Sequence, residues 1–322
     1  MKSELVGPVR SVRGEWAEWD LTNEVWKAPQ RVTIEEYRPD GKISSSELRF
    51  VGGSVSRSAY SYDEAGLLVE TQIWNGDAPA GRWVNEYDAD RLIRTVGHLP
   101  DGSEQVGEER TYAPDGSHER IMHLPETRFN TMVSLGAVEG LDFSVGAPYA
   151  RTMITRYDRE ERACEVLVKD GMERAVRRLA MDRDTHGRTL KAELFSDEPL
   201  VPNVPAFGVD VPMMTATLAY DESGHLIQSV RSMFGLNEHR ETYRYDDRGN
   251  RTETTSEEQT YEAQVLEDGT VERGEGKSER RQTRFTSKYD AQGNWVERVT
   301  SQRYQSNPDF TTVSIDRRQI VY

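Results

Sequence analysis

Cysteine is almost absent from the sequence: Cys164 is the only one among 322 residues. A single cysteine excludes an intramolecular disulfide framework and a zinc site built from several thiolates. Long apolar stretches are missing too, since none approaches 18 residues and the charged N-terminus lacks the apolar core of a signal peptide. We therefore expect a cytoplasmic chain with no membrane partner, and an exported mature form stays an alternative.

Positively charged residues are outnumbered by negatively charged ones. The chain carries 41 lysine and arginine residues against 56 aspartate and glutamate residues, for a net charge of −15. Nucleic acids and anionic membranes attract clustered positive charge, so we expect neither as a partner. Hydrophobic residues make up only 35% of the chain. A sheet with one solvent-exposed face would account for that low fraction.

Known signatures of catalysis and metal binding are missing. The sequence has no Gly-x-Ser-x-Gly elbow, no P-loop and no Rossmann fingerprint. Residues 182–193 superficially match a calcium loop, but His186 replaces an oxygen ligand and no flanking helices are predicted. We therefore predict no catalytic residue, no metal and no cofactor. A carboxylate pair stays an alternative, because the sequence cannot select two residues among so many acids.

The most informative feature present is a Tyr-x-x-x-Gly turn signal that recurs every 25 residues in its regular parts. Tyr62-Asp63-Glu64-Ala65-Gly66 is a complete copy. Recurrence at a fixed period of this length predicts a repeat array. The tyrosines of the array are Tyr37, Tyr62, Tyr87, Tyr112, Tyr157, Tyr220, Tyr245 and Tyr289. Its glycines are Gly41, Gly66, Gly116, Gly187, Gly224, Gly249 and Gly293.

Side chains alternate before most of these turns, as at Phe285, Ser287 and Tyr289. A period of two predicts half-buried β-strands. A second short apolar run follows each turn, so each turn is expected to close a hairpin, with Asp bonding the backbone and Gly supplying a positive φ. The sequence therefore predicts an all-β fold in which residues 1–322 form a single array of antiparallel hairpins in one open, curled sheet.

The copies Tyr245-Asp246-Asp247-Arg248-Gly249-Asn250-Arg251-Thr252 and Tyr289-Asp290-Ala291-Gln292-Gly293-Asn294-Trp295-Val296 resemble the YD repeats of RHS-type proteins. The resemblance covers most of the chain from Val32 onward, and both ends are similar to those of small stand-alone bacterial YD-repeat proteins. It implies a curled β-sheet strip, a fragment of the cocoon that the large proteins form. It does not imply a toxin, because the chain lacks an appended toxin domain and the Asp-Pro-x-Gly junction.

Three insertions interrupt the array, at residues 122–150, 196–214 and 253–282. The third is mainly acidic and predicts two long strands. The first two are apolar: either they fold over the sheet and complete its core, or they form a docking site for a partner. The residues predicted to bind that partner are Leu135, Val138, Leu141, Phe143, Val204, Phe207, Val209 and Met213.

These features predict a non-enzymatic, acidic protein that binds a partner protein. It would act as an inhibitor or scaffold that sequesters or regulates the partner through the concave face of the sheet and the apolar insertions. The oligomeric state is left open. One alternative is a cell-surface or secreted carbohydrate-binding repeat protein with exposed Trp74, Trp83 or Trp295. The other is a hydrolase that acts through a carboxylate pair.

Overall fold

The computed structural model describes residues 5–124, 132–138, 141–146, 150–196, 212–233, 237–265 and 271–322. Within these ranges every helix or strand assigned is a β-strand, which confirms the all-β prediction. The chain divides into two compact units, Met1–Val106 with Gln282–Tyr322, and Gly107–Arg281. That the chain is a single array stays a prediction.

The strands follow one another with short connections over most of the chain. They are β1 (Ser11–Asp20), β2 (Val25–Trp26), β3 (Arg31–Tyr37), β4 (Ile43–Phe50), β5 (Val55–Tyr62), β6 (Leu68–Asn75), β7 (Ala78–Asp88), β8 (Arg91–His98), β9 (Glu104–Tyr112), β10 (His118–His123), β11 (Met132–Val138), β12 (Leu141–Gly146), β13 (Ala150–Tyr157), β14 (Ala163–Asp170), β15 (Ala175–Arg183), β16 (Thr189–Ser196), β17 (Met214–Tyr220), β18 (Leu226–Met233), β19 (Asn237–Tyr245), β20 (Arg251–Val265), β21 (Val271–Tyr289), β22 (Trp295–Tyr304) and β23 (Asn307–Val321).

The first unit contains an antiparallel ladder in the order β22–β23–β1–β3–β4–β5–β6–β7–β8. Most neighbours in the ladder are consecutive in the chain, as hairpins require. Strand β1 is the exception, because it pairs with β3 on one side and with β23 on the other. The β1–β23 register runs from Ser11↔Val321 to Glu18↔Ser314.

The second unit contains the ladder β9–β10–β13–β14–β15–β16–β17–β18–β19–β20. Its hydrophobic core lies on the central strands, where Val168, Leu179, Leu194 and Ala216 are fully buried. Each buried Val or Leu side chain contributes about 1.5–3 kcal/mol to folding. Strands of the second unit therefore carry the main apolar cluster among the described residues.

The prediction of an open sheet is wrong. Twenty-one strands among the described residues belong to one antiparallel sheet, and β1 and β23, its first and last strands in the chain, pair with each other. The sheet is therefore closed, as in a β-barrel, and the backbone groups that would line an open edge at these strands are hydrogen-bonded. An open strip of YD repeats would leave these two strands apart, so the open shape implied by the RHS resemblance is wrong as well.

The predicted turns form as the pattern requires. In the Tyr62–Gly66 copy, the Asp63 N–H donates to the Leu67 carbonyl at 3.0 Å, and the Leu67 N–H donates to Asp63 Oδ1 at 2.7 Å. Gly66 has a φ of 83°. The other predicted glycines also have positive φ: Gly41, Gly116, Gly187, Gly224, Gly249 and Gly293.

The repeat tyrosines link consecutive hairpins. The Tyr62 hydroxyl donates to the Ile43 carbonyl at 2.9 Å, which ties one turn to the hairpin before it. The same bond recurs for Tyr87 to Leu68, Tyr220 to Thr189 and Tyr245 to Leu226, at 2.8–2.9 Å. The tyrosine is therefore selected for its hydroxyl as well as for the area that its ring buries.

Two degenerate copies keep a turn without glycine. Glu161 occupies the predicted glycine position with a φ of 59°. In the Tyr87 copy the sequence places Arg91 where Gly is expected, but the residue with positive φ is Ala89, at 55°. The reason is that Asp88 pairs directly with Arg91, which shortens the turn.

The insertions are only partly described. The first contains β11 and β12, which pair into a separate two-stranded sheet. The long strands predicted in the third insertion are confirmed as β20 and the beginning of β21. Most of the second insertion lies outside the described residues.

Candidate functional site

Four adjacent strands of the first unit bring one row of side chains together. Trp16 of β1 lies opposite Arg31 of β3 and opposite Asp316 of β23. Asp316 in turn lies opposite Arg298 of β22. Partners in an antiparallel pair share a face of the sheet. Arg31, Trp16, Asp316 and Arg298 therefore form one cross-strand row.

A second row lies beside the first on the same face, two residues along each strand. Here Gly14 lies opposite Thr33 of β3 and Arg318 of β23. A Cβ atom on Gly14 would lie 2.6 Å from Thr33 Oγ1. The glycine therefore leaves room between Thr33 and Arg318 that any other residue would occupy.

The indole of Trp295 holds two of the arginines. The Arg318 Cζ lies 3.5 Å from its ring centroid, and the Arg298 Cζ lies 4.6 Å from a ring centroid of the same indole. Arg298 Nε also donates to Ser287 Oγ at 3.4 Å. Each cation–π contact contributes about 0.5–2 kcal/mol. A stacked guanidinium is restrained in orientation and presents its N–H donors in the plane of the group.

A cavity of 230 Å³ is lined by both rows. Its lining includes Trp16, Arg31, Trp295, Arg298 and Arg318. The buried indole N–H of Trp295 has no hydrogen-bond partner among the residues that the structure describes.

The electrostatics of the cavity are dominated by positive charge. Burial raises the pKa of the Asp316 carboxyl, although Arg31, Arg298 and Arg318 act in the opposite direction. Three guanidiniums thus act on one carboxylate that is harder to ionise than an ordinary aspartate. Glu15 and Arg317 also line the cavity, and they form ion pairs with Arg13 and Glu297. In a chain of net charge −15, this cluster is suited to an anion.

A second polar cluster lies in the second unit. The Tyr243 hydroxyl donates a hydrogen bond to Glu241 at 2.8 Å, so it accepts one from the Ser229 hydroxyl at 3.0 Å. Ser256 Oγ and Glu241 Oε1 lie 3.4 Å and 3.6 Å from the same nitrogen, His239 Nε2. A Ser-His-acid triad needs the serine and the acid on different ring nitrogens. The cluster is therefore a buried hydrogen-bond network without the geometry of a triad.

No group of three or more metal-ligating side chains comes together within the ranges that the structure describes. The same ranges contain no helix with the length and apolar character needed to cross a membrane.

The structure places the residues predicted to bind a partner only in part. Met213 is buried in the core of the second unit, at 2% exposure. Leu135 and Val138 lie in β11, and Leu141 and Phe143 lie in β12. Val204, Phe207 and Val209 lie outside the described residues. Apart from the burial of Met213, the grouping of these residues stays a prediction.

The predicted function as a sequestering scaffold is wrong. That function required the concave face of an open sheet, and closure through β1 and β23 removes the open edge on which that shape depends. The carbohydrate-binding alternative is unsupported, because Trp74, Trp83 and Trp295 are half-buried rather than exposed. The hydrolase alternative has no support either, since Asp316 is the only acid in the cross-strand row described above.

The prediction of no membrane partner is also wrong. That prediction rested on the lack of long apolar stretches. Long apolar stretches identify only membrane-spanning helices, whereas a closed antiparallel sheet is the other architecture that can span a bilayer. The closure of this sheet overturns that argument. The cytoplasmic localisation rested on the same absence and is not supported.

No family model matches the chain, and no curated protein matches it. The assignment to the YD-repeat family is therefore corrected: consecutive hairpins are present, but neither a family match nor an open sheet accompanies them. Among solved structures, the chain is similar to a porin-like protein from Bacteroides uniformis ATCC 8492, at 10% identity and a TM-score of 0.36, over 98% of this chain and 99% of that one. It is also similar to a mutant of the vaccine antigen transferrin-binding protein B from Haemophilus parasuis Hp5, at 8% identity and a TM-score of 0.18, over 98% of this chain and 77% of that one.

Sequence reasoning missed the whole arginine cluster. Arg31, Arg298 and Arg318 are separated along the chain and share no local motif. Only the β1–β23 pairing places them around one cavity. The sequence offered one weak signal. Trp16 and Trp295 do not belong to the Tyr-x-x-x-Gly pattern, and each lies within three residues of another cavity residue, Gly14 and Arg298 respectively.

Proposed function

We propose that the first unit binds a small anionic ligand in the cavity lined by Trp16, Arg298 and Arg318. The observation that carries the proposal is the convergence of three guanidiniums, two of them stacked on Trp295, on one 230 Å³ cavity. Like charges that gather without a matching number of acids repel one another. A bound anion would relieve that repulsion.

The stacking of the arginines supports recognition of carboxylate or phosphate in particular. Arg298 and Arg318 are restrained by the Trp295 ring, so less side-chain entropy is lost when a ligand binds. A guanidinium presents two parallel N–H donors that match the two oxygens of a carboxylate. Arg31 is exposed, which gives the ligand a charged residue at the solvent side of the cavity.

We test this function by titrating the full chain with succinate and with inorganic phosphate, with intrinsic tryptophan fluorescence as the signal. Trp16 and Trp295 line the cavity, so binding there should change the emission. Arg298→Gln and Arg318→Gln should each weaken binding by roughly tenfold or more, because each removes a charged hydrogen bond.

Arg57→Gln is the matched control. It removes the same charge from β5, and neither Arg57 nor its ion-pair partners Glu47 and Asp77, at 2.8 Å and 3.1 Å, line the cavity. Binding that is weakened equally by all three substitutions would show a nonspecific charge effect and would contradict the proposal. The absence of any saturable signal with either anion would contradict it as well.

We also propose that the chain binds its ligand without converting it. The described lining of the cavity includes no cysteine, serine or histidine, the usual nucleophiles and bases, which supports this proposal. Prolonged incubation of bound succinate, followed by one-dimensional NMR, should return the ligand unchanged. A new set of ligand resonances would contradict it.

The closed sheet favours a second candidate function, an outer-membrane-type barrel. Its 21 strands include the two-residue β2, which leaves an even number of longer strands, as bacterial barrels have. Such a barrel needs an outward apolar band about 25 Å tall. Rows of ion pairs such as Glu119–Arg156 and Glu165–Arg178 would have to lie outside that band.

Vesicle flotation tests the second candidate. Full chain refolded with vesicles of phosphatidylethanolamine and phosphatidylglycerol should float with the lipid and resist extraction at high pH if it spans the bilayer. Chain that stays in the dense fraction, with its sheet intact by circular dichroism, would reject a membrane barrel.

A further inference from the structure

Asp316 faces the three arginines without contacting them. Arg31, Arg298 and Arg318 all act electrostatically on its carboxylate. Among the residues that the structure describes, however, no ion pair within 4.0 Å joins Asp316 to any of them. The carboxylate likewise accepts no hydrogen bond from the described part of the chain. Opposite charges that face one cavity but stay apart leave a gap for an atom that contacts both.

We propose that the ligand carries a hydroxyl beside its anionic groups, and that Asp316 accepts this hydroxyl while Arg298 and Arg318 bind the anionic groups. The proposal rests on the anion-binding function above. The ligand class is a small hydroxy acid, and a hydroxy diacid best matches three guanidiniums opposed by one carboxylate. Asp316 would then be the residue that determines specificity.

A hydroxyl fits this position better than an ammonium group. Three guanidiniums around the cavity would repel a second kind of cation from Asp316. Burial raises the pKa of the Asp316 carboxyl, which further weakens its attraction for a cation. A hydroxyl can donate to the ionised carboxyl or accept from the protonated one, so it is suited to either form.

Three ligands with one skeleton test the proposal. L-malate, succinate and L-aspartate are four-carbon diacids that differ in a hydroxyl, a hydrogen and an ammonium at one carbon. In isothermal titration of the full chain, we expect L-malate to bind about tenfold more tightly than succinate, and L-aspartate to bind more weakly than L-malate. Equal affinities for L-malate and succinate would overturn this proposal and leave anion binding intact. No binding of any of the three would overturn the proposed function itself.

Substitutions of Asp316 locate the discrimination. Asp316→Leu removes the acceptor, so it should bind L-malate and succinate equally. Asp316→Asn keeps an acceptor and removes the charge, so it should retain a preference for L-malate and bind both diacids more tightly. Arg57→Gln should leave the ratio of the two affinities unchanged. A malate preference that survives Asp316→Leu would overturn the role of Asp316. Thermal unfolding checks that each variant folds, and if Asp316→Leu does not fold, the ligand series with wild-type chain decides alone.

Discussion

Asn294 donates a hydrogen bond from Nδ2 to the hydroxyl of Tyr322 at 2.6 Å. The same hydroxyl donates to Asp290 Oδ2 at 2.5 Å. Asn294 Nδ2 also donates to the Val6 carbonyl at 2.8 Å, and the Val6 N–H donates to Asn294 Oδ1 at 2.6 Å. One turn therefore fastens residues 6 and 322 beside the pairing of β1 with β23. Trp295, which holds two arginines of the cavity, is the next residue in the chain.

Asn294→Ala should destabilise the chain by about 1–3 kcal/mol, because it leaves the two Val6 backbone groups and the Tyr322 hydroxyl without their partner. Urea unfolding measures the change. Asn250→Ala is the matched control: Asn250 occupies the same turn position, but its side chain bonds only to Asp246, at 3.4–3.5 Å. A loss of stability no larger than that of the control would contradict a closing role for Asn294.

Glu161→Gly should stabilise the chain by about 1 kcal/mol. Glu161 holds a φ of 59°, which costs an L-residue about 1–2 kcal/mol and costs glycine little. Differential scanning calorimetry would show a higher Tm. Glu160→Gly, at a neighbouring position without positive φ, should lower the Tm instead. A decrease for Glu161→Gly would show that its side chain contributes more than its backbone strain costs.

Glu241→Gln should destabilise the second unit by about 1–3 kcal/mol at pH 7. The contact with His239 and the hydrogen bond from Tyr243 lower the pKa of Glu241 from 4.5 to about 2. A lowered carboxyl pKa stabilises the fold above the unfolded value and loses that contribution as the pH falls towards 2. The difference between variant and wild type should therefore shrink between pH 4.5 and pH 2.

Urea unfolding at several pH values measures this dependence. Glu238→Gln is the control on the same strand, since Glu238 belongs to an exposed ion pair with Arg240 and should cost less than about 1 kcal/mol. A stability difference for Glu241→Gln that stays constant down to pH 2 would contradict the conclusion that the ionised Glu241 carboxylate stabilises the fold.

Gly14→Ala should cost about 1–3 kcal/mol and weaken succinate binding, because its Cβ would lie 2.6 Å from Thr33 Oγ1 and narrow the cavity. Thr33→Ala removes the atom that clashes. The double variant should therefore recover most of the stability, as urea unfolding would show. A double variant no more stable than Gly14→Ala alone would place the strain elsewhere.

The turns were predictable from the sequence because their causes are local. Asp63 and Gly66 lie within five residues of each other, and the bonds that they form close the same turn. The shift of the positive φ from Arg91 to Ala89 was missed, because it depends on the pairing of Asp88 with Arg91. The repeat pattern predicts consecutive strands well but does not predict irregular turns.

Closure and the cavity could not be predicted, because both depend on a pairing between the two ends of the chain. Trp16 and Asp316 are adjacent only through the β1–β23 register. A repeat pattern fixes the order of the hairpins but not whether the first strand meets the last. The open sheet, the scaffold function and the absence of a membrane partner were each predicted from local sequence patterns. All three predictions were wrong because none took account of the pairing of β1 with β23.

A crystal structure of the full chain grown with saturating L-malate would show directly whether the ligand binds in the arginine-lined cavity. We expect ligand density in the cavity between Trp16 and Trp295, with carboxylates on the guanidiniums of Arg298 and Arg318 and the hydroxyl on Asp316. An empty cavity at a concentration that saturates the titration, or malate bound only at another surface, would contradict the proposed binding site.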